Sequence, residues 1–317
     1  MKNPFYRNSL TTIKQVSSLE HIKYLFSVAD TMKKNVESGT VHEPLKGKTV
    51  SVLFYQPSTR TFTSFVAAAK RLGAYTIDIH EMTSYSSVVK GESLEDTMRS
   101  IRQTTGADLI VLRHPEDNSS EIAAAVQEAP VVNGGSGTAE HPTQALLDLY
   151  TIYHNLGRLD NLNVVLVGDL KYGRTIKSLA QLIATVSKKS KITFVSPEQL
   201  KAPKELIKEL RQKMDISQKT SFGHALEEAD VVYMTRVQKE WFEKEGKLDD
   251  YEKLRLKFIM TPQMADKMKK NAIIMHPLPR VGEILLEVDS NPRAAYFGQM
   301  RSGLYIRMAL LKSILIP

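Results

Sequence analysis

Cysteine is missing altogether from the 317 residues. That absence excludes disulfide scaffolds, thiolate nucleophiles and Cys-ligated zinc or iron–sulfur centres. No apolar run approaches the roughly 18 residues of a membrane span. The opening MKNPFYRNSLTT has no apolar signal-peptide core. A soluble, cytoplasmic protein with no membrane partner is therefore expected. Also lacking are a GxGxxG dinucleotide fingerprint, a Walker A sequence and an HExxH pair, as well as a GxSxG nucleophile elbow. The eight histidines are dispersed without metal-ligand spacing. Neither metal nor cofactor is expected, and catalysis would rest on positioning and electrostatics.

What is present is ordinary in bulk and uneven in detail. Hydrophobic residues at 42% and charged residues at 25% describe a globular chain, and its length suggests about two domains. The net charge is +8. A basic balance can serve nucleic acid, an anionic membrane or small anions. Here Lys188, Lys189 and Lys191, and Lys267, Lys269 and Lys270, form the only short clusters, and they read as solvated helix ends or turns. Several arginines instead stand singly at the ends of predicted strands. That distribution favours small anions over nucleic acid.

Short β-branched runs alternate with helical patterns, the signature of parallel sheets covered on both faces. Strands are predicted over Thr49–Phe54, Tyr75–His80, Asp108–His114 and Val131–Asn133, then over Asn163–Val167, Lys191–Val195, Asp230–Met234 and Ala272–Met275. Helices are predicted near Thr63–Leu72, Ser93–Thr105, Ser119–Ala129, Thr175–Val186, Lys204–Met214 and Gly303–Ile316. The segment HPTQALLDLYTIYHNLG reads as a helix bridging two α/β domains, with Pro142 in its first turn and Gly157 as its stop.

Ligands of open α/β sheets collect beyond the C-terminal ends of the strands. Six such ends carry Ser58-Thr59-Arg60-Thr61, Arg113-His114, His141, Asp169 to Arg174, Arg236 with Gln238, and His276 to Arg280. Mostly cationic or donor-rich, they would line one anion-binding cleft. Ser58 to Thr61 open a helix, where backbone N–H groups and the helix dipole suit a phosphate; an N-cap and a surface arginine would look the same. Arg113 can hold an anion or a structural ion pair. His141 can donate to a carbonyl, cap the helix or sit buried and hydrogen-bonded, and Gln144 shares its helix face. Arg174 and Arg236 suit a dicarboxylate, one guanidinium fork for each carboxylate; an Asp169 that orients Arg174 is the structural alternative. Lys90, before Gly91 in a polar segment, is either a mobile cation or a solvated loop lysine.

Together these stretches resemble the aspartate/ornithine carbamoyltransferase family over nearly the whole chain. FYQPSTRTFTSF is similar to its carbamoyl-phosphate motif. RHP at 113–115, EHPTQALLDLYTI at 140–152, VGDLKYGRT at 167–175, YMTRVQKE at 233–240 and MHPLPRVGEI at 275–284 resemble the aspartate side of the family. Ornithine members usually show His-Cys-Leu-Pro where this chain has His276-Pro277-Leu278-Pro279. The resemblance implies carbamoyl transfer from carbamoyl phosphate to the α-amine of L-aspartate, in pyrimidine synthesis. It implies a carbamoyl-phosphate domain over 1–147, with a terminal helix at 298–317 packed back onto it, and an aspartate domain over 148–297.

The implied roles follow residue by residue. Ser58, Thr59, Arg60, Thr61 and Arg113 match the phosphate contacts; Thr61, Arg113 and His141 match the donors to the carbonyl oxygen; Gln144 matches a contact to the carbamoyl nitrogen. Ser86 and Lys90 match a loop that enters a neighbouring subunit's site, which implies a homotrimer; a regulatory chain is possible by the same likeness. Arg174, Arg236 and Gln238 match the aspartate set, and the Pro277 and Leu278 carbonyls match acceptors beside the reacting amine. Two positions depart: Gln56 stands where the family usually has Glu, and Trp241 where aspartate members often have Arg. In the family, that Glu and Arg belong to ion pairs of domain closure, so closure here is expected to use other contacts, such as Trp241 stacking on a neighbour. A transcarbamoylase for another amino acid, a non-catalytic anion-binding relative and a nucleic-acid binder are the competing readings.

Overall fold

A computed structural model of the chain describes residues 2–317, and every side chain among them except those of Tyr85 and Trp241. The stacking expected of Trp241 thus lies outside the described residues. Two units emerge, one of residues 1–147 with 301–317 and one of residues 148–300.

The first unit begins with α1 (Leu19–Ser38), capped by the Ser18 hydroxyl at one end and by left-handed Gly39 at the other. Its strands are β1 (Thr49–Phe54), β2 (Tyr75–Ile79), β3 (Leu109–His114) and β4 (Val131–Ser136). Helices α2 (Thr59–Arg71), α3 (Met82–Tyr85), α4 (Leu94–Thr105) and α5 (Ser119–Ala125) connect them, and α6 (Pro142–Leu156) follows β4. The four strands pair in parallel in the order β2-β1-β3-β4. β1 and β3 are buried along nearly their whole length, so β3 reads as an apolar run from Leu109 to Leu112 and β1 as Val50, Val52, Leu53 and Phe54 with buried Ser51 among them. β2 lies at an edge and is half exposed.

The second unit holds β5 (Asn163–Val167), β6 (Lys191–Val195), β7 (Asp215–Lys219), β8 (Val231–Met234) and β9 (Ile273–Met275), in parallel order β7-β6-β5-β8-β9. Helices α7 (Arg174–Val186), α8 (Lys204–Arg211), α9 (Lys239–Lys244), α10 (Leu248–Leu254) and α11 (Pro262–Lys267) accompany them. The last helix, α12 (Tyr296–Leu315), starts in this unit and runs into the residues assigned to the first. There its Arg307 guanidinium lies 5.0 Å from the ring centre of buried Phe65 on α2. No described helix is long and apolar enough to cross a membrane.

The alternation of strands and helices is the architecture that the sequence predicts, with differences in detail. α2 begins at Thr59 rather than Thr63, so Arg60 and Thr61 stand in its first turn. α12 begins seven residues before Gly303. β7 is additional to the predicted strands: only Ile216 in it is buried, so an edge strand of polar residues has no apolar run to announce it. The polar segment around Ser86 and Lys90, expected as a loop, is instead short turns of helix.

In each sheet one point reverses the strand order. In the first, the chain moves from β1 to β2 on one side and then to β3 on the other. In the second, it moves from β5 to β6 and β7, then to β8. The segments leaving β1 and β3, and those leaving β5 and β8, therefore diverge to opposite faces and leave a crevice at the strand ends.

Candidate active site

The first crevice collects most of the predicted phosphate set. Phe54 and Arg113 are paired at the ends of β1 and β3, and Tyr55 continues the ladder by donating its N–H to the Arg113 carbonyl at 2.8 Å. α2 then starts with Ser58 extended at its N-cap, and the Ser58 hydroxyl makes no capping bond. The first-turn N–H groups at Thr59, Arg60 and Thr61 have no preceding helical carbonyls to reach, so the turn offers donors and positive dipole to an anion. Arg60 and Thr59 are exposed, and Thr61 is buried.

His141, just before α6, brings the far end of this segment back to the same place. Its Nε2 lies 3.5 Å from the Thr61 hydroxyl, and both side chains are buried. Gln144, one helical turn along, is buried as well. Arg113 is half-buried and donates from Nη1 to the Gly134 carbonyl on β4 at 3.0 Å, so its guanidinium is steered by the neighbouring strand. Next to it, burial pushes the His114 pKa down, against the Glu116 charge. His114 uses Nδ1 to accept the Glu116 N–H at 3.2 Å, a structural role.

Ser86 and Lys90 do not join this group by any described contact. The Ser86 hydroxyl donates to the Met82 carbonyl at 2.6 Å and accepts the Val88 N–H at 3.3 Å. Lys90 ends a single helical turn before Gly91. Its exposed ammonium has no ion pair or hydrogen bond among the described residues.

The second crevice is shaped by close backbone approach. Gly168 follows β5 with φ +112°, and a Cβ there would lie 2.3 Å from the Thr235 carbonyl oxygen after β8. At Gly173 a Cβ would lie 2.4 Å from the Asp169 carbonyl oxygen. Glycine at both lets the two strand ends touch and lets Arg174 open α7 directly. Buried Asp169 ties them together by accepting the N–H groups of Tyr172 at 3.0 Å and Gln238 at 3.3 Å. Burial pushes its carboxyl above the usual range, against the pull of those donors.

Arg236 is half-buried, and its two terminal nitrogens clasp the Glu240 carboxylate one turn away, through Nη1 at 2.9 Å and through Nη2. This hydrogen bond is the main reason that the Glu240 carboxyl falls below its usual range. It also raises Arg236. An arginine predicted to grip a substrate carboxylate thus already holds one from its own chain through both terminal nitrogens.

Beyond β9 lie Pro277 and Leu278, half-buried, with Leu278 at φ +54° and a cis bond to Pro279. His276 and Glu283, both buried, meet at 2.6 Å. The sequence places His276 in a strand-end motif without giving it a task. The signal for the pair is a seven-residue spacing that no secondary-structure period announces. Among the described residues no group of three or more His, Asp or Glu is arranged to hold a metal.

Family models match both parts of the chain. Residues 8–154 match the carbamoyl-phosphate-binding domain of aspartate/ornithine carbamoyltransferases, and residues 160–314 match their aspartate/ornithine-binding domain. The chain belongs to the aspartate/ornithine carbamoyltransferase family. Within it, an aspartate carbamoyltransferase of Pisum sativum, named as chloroplastic, is 46% identical over 293 residues, 92% of this chain and 74% of its own. The multifunctional protein pyr1-3 of Dictyostelium discoideum is 45% identical over 95% of this chain, which spans only 13% of that protein. A crystal structure of Trypanosoma cruzi aspartate transcarbamoylase in complex with carbamoyl phosphate and aspartate has a TM-score of 0.92 and 36% identity, covering 99% of this chain and 98% of that one. The same enzyme in complex with carbamoyl aspartate and phosphate scores 0.92 at 35% identity.

Proposed function

We propose that this chain transfers the carbamoyl group of carbamoyl phosphate to the α-amine of L-aspartate, releasing N-carbamoyl-L-aspartate and phosphate. The observation that carries the reading is the approach of Thr61 to His141, in a crevice also reached by Arg113 at the end of β3. Two donors and a cation at one strand-end crevice suit a carbonyl oxygen bonded next to a phosphate. The amine nitrogen attacks the carbamoyl carbon, and negative charge grows on its oxygen. Thr61, Arg113 and His141 stabilise that oxyanion; one such preorganised donor is typically worth roughly 2.7–4 kcal/mol. The carbon–oxygen bond to phosphate then breaks, the electron pair leaves with phosphate, and the amine proton follows to phosphate or water.

In this reading Ser58, Thr59, Arg60 and Thr61 hold the phosphate, and Gln144 receives the carbamoyl nitrogen. Arg174, Arg236 and Gln238 take the aspartate carboxylates, with the Pro277 and Leu278 carbonyls facing the amine. Ser86 and Lys90 serve a neighbouring copy in a homotrimer, which the unpartnered Lys90 ammonium supports. Residues 1–147 form the carbamoyl-phosphate domain and 148–297 the aspartate domain. A cytoplasmic setting is part of the proposal, although relatives named chloroplastic make cell fractionation the deciding measurement.

The reaction is tested by phosphate release from carbamoyl phosphate with aspartate, ornithine and several N-acylated amino acids. Release with aspartate alone is the expected result. Faster release with another acceptor would move the chain to a different transcarbamoylase, a reading that Gln56 and Trp241 keep in view. No release with any acceptor would point to a non-catalytic relative.

A further inference from the structure

We infer that His276 is a positioning residue for the aspartate amine, acting through the Pro277–Leu278 peptide. The inference rests on the reading that the Pro277 and Leu278 carbonyls face that amine. Its geometry is independent of it.

The Leu278 N–H points at His276 Nδ1, at 2.8 Å. A backbone N–H can only donate, so Nδ1 carries its lone pair. A neutral ring then has its proton on Nε2, which faces the Glu283 Oε1 at 2.6 Å. The other Glu283 oxygen accepts the Val281 N–H at 2.8 Å. Three hydrogen bonds thus close residues 276–283 on themselves, from Leu278 to His276 to Glu283 and from Val281 to Glu283.

The consequence for the site follows from peptide planarity. The Pro277 carbonyl and the Leu278 N–H belong to one trans peptide, so they point in opposite directions. Fixing the N–H on His276 therefore aims the Pro277 carbonyl oxygen away from the ring. It also holds Leu278 at φ +54°, a region that leucine rarely occupies unaided.

The clamp is itself anchored. The His276 N–H donates to the Gln299 Oε1 at 2.9 Å, and the Gln299 amide donates to Asp148 at 2.6 Å. Asp148 also accepts the Tyr233 hydroxyl at 2.7 Å, three residues before Arg236. His276, Gln299, Asp148 and Tyr233 are all fully buried, and Glu283 is 3% exposed. A turn closed for shape alone can use neutral groups; sinking two carboxylates here carries a desolvation cost that only satisfied partners offset. Burial pushes the Glu283 carboxyl up, but the contact with His276 and the backbone N–H donors together bring it below the usual range.

Two substitutions separate the halves of the clamp. In His276→Asn the amide oxygen sits where Nδ1 was and still accepts the Leu278 N–H. In His276→Gln the amide nitrogen reaches Glu283, and the Leu278 N–H loses its acceptor. The role predicts that His276→Gln raises the aspartate KM by roughly ten-fold while His276→Asn stays within about three-fold. The KM for carbamoyl phosphate is expected to hold in both. Equal aspartate KM shifts in the two variants, or a matching rise for carbamoyl phosphate, would overturn the role. A second measurement needs no variant: 15N spectra of histidine-labelled wild type should show His276 protonated at Nε2 only, and an Nδ1–H form would overturn it. Wild type run alongside keeps the failures apart. If it releases no phosphate with aspartate, the reaction itself is misread and the role falls with it; release with equal KM shifts removes the role alone.

Discussion

At the scale of single residues, the chemistry concentrates where a buried side chain is steered by something other than substrate. His141 is buried against Thr61, so its ring is oriented before a ligand arrives. Replacing it by alanine removes a preorganised donor, and kcat is expected to fall by roughly 100-fold or more. Steady-state kinetics with saturating carbamoyl phosphate checks this; turnover within a few-fold of wild type would remove His141 from the oxyanion set. Arg236 differs because Glu240 occupies its terminal nitrogens. In the proposed reading Glu240 acts as a rest that holds the Arg236 fork while the substrate carboxylate approaches it. Glu240→Ala is expected to raise the aspartate KM by roughly five-fold, a modest figure because Glu240 is exposed. A lower KM would mean that Glu240 competes with substrate instead.

At the scale of elements, what could be read from the chain depended on burial. β1, β3 and β5 are buried over nearly all their residues; unbroken Val, Leu and Ile announce β3 and β5, and Val50, Val52, Leu53 and Phe54 announce β1. The edge strand β7, with Ile216 alone buried, is silent. The short helices α9 and α10 carry charges through most of their length and read as loop. α1 is the instructive miss. Ile22, Leu25, Phe26, Ala29 and Met32 stand at helical spacing between Ser18 and Gly39, so its signal is present, but a reading led by strands passes over it. Of the site, residues in strand-end motifs were legible by type and position. Partners such as Glu240 and Glu283 were not, because their roles depend on side-chain direction.

Two predictions belong to this scale. Phe65 on α2 is fully buried beneath Arg307 of α12. Truncation to alanine should cost about 3–5 kcal/mol in a reversible denaturant titration; a loss below about 1 kcal/mol would mean the site collapses without a cavity. Glu245, just past α9, takes hydrogen bonds from Lys247 and from the Tyr172 hydroxyl, with Lys171 at 3.9 Å. Those bonds, the one from Lys247 foremost, hold its pKa down at about 2 against an ordinary 4.5. A depressed carboxylate stabilises the fold above its unfolded value and loses that contribution as pH falls through the folded one. The contact should therefore persist at pH 4.5 and dissolve toward pH 2. NMR titration of the Glu245 carboxyl carbon tests this, and a midpoint near 4.5 would contradict it.

For the whole molecule, the proposal makes a site that one chain does not complete. Lys90→Gln and Arg113→Ala are each expected to abolish turnover alone. Mixed, denatured together and refolded, they should regain a fraction of wild-type rate, because some hybrid assemblies pair an intact Lys90 with an intact Arg113. Silence in the mixture, with both variants assembled, would confine each site to a single chain. The excess of eight positive charges fits this scale too, since both reactants are anions that a basic surface attracts from a distance.

The first unit is made of two separated stretches, and its second stretch is the end of α12. Asn3 donates to the carbonyls of Ser313 and Ile316, and the Arg7 N–H to that of Ile314. On the ribosome, residues 148–300 are synthesised before that closing stretch. The unit translated first must wait with the Phe65 ring uncovered while the unit translated second can already be whole. Nascent chains stalled before residue 301 should therefore protect their middle from protease sooner than their beginning.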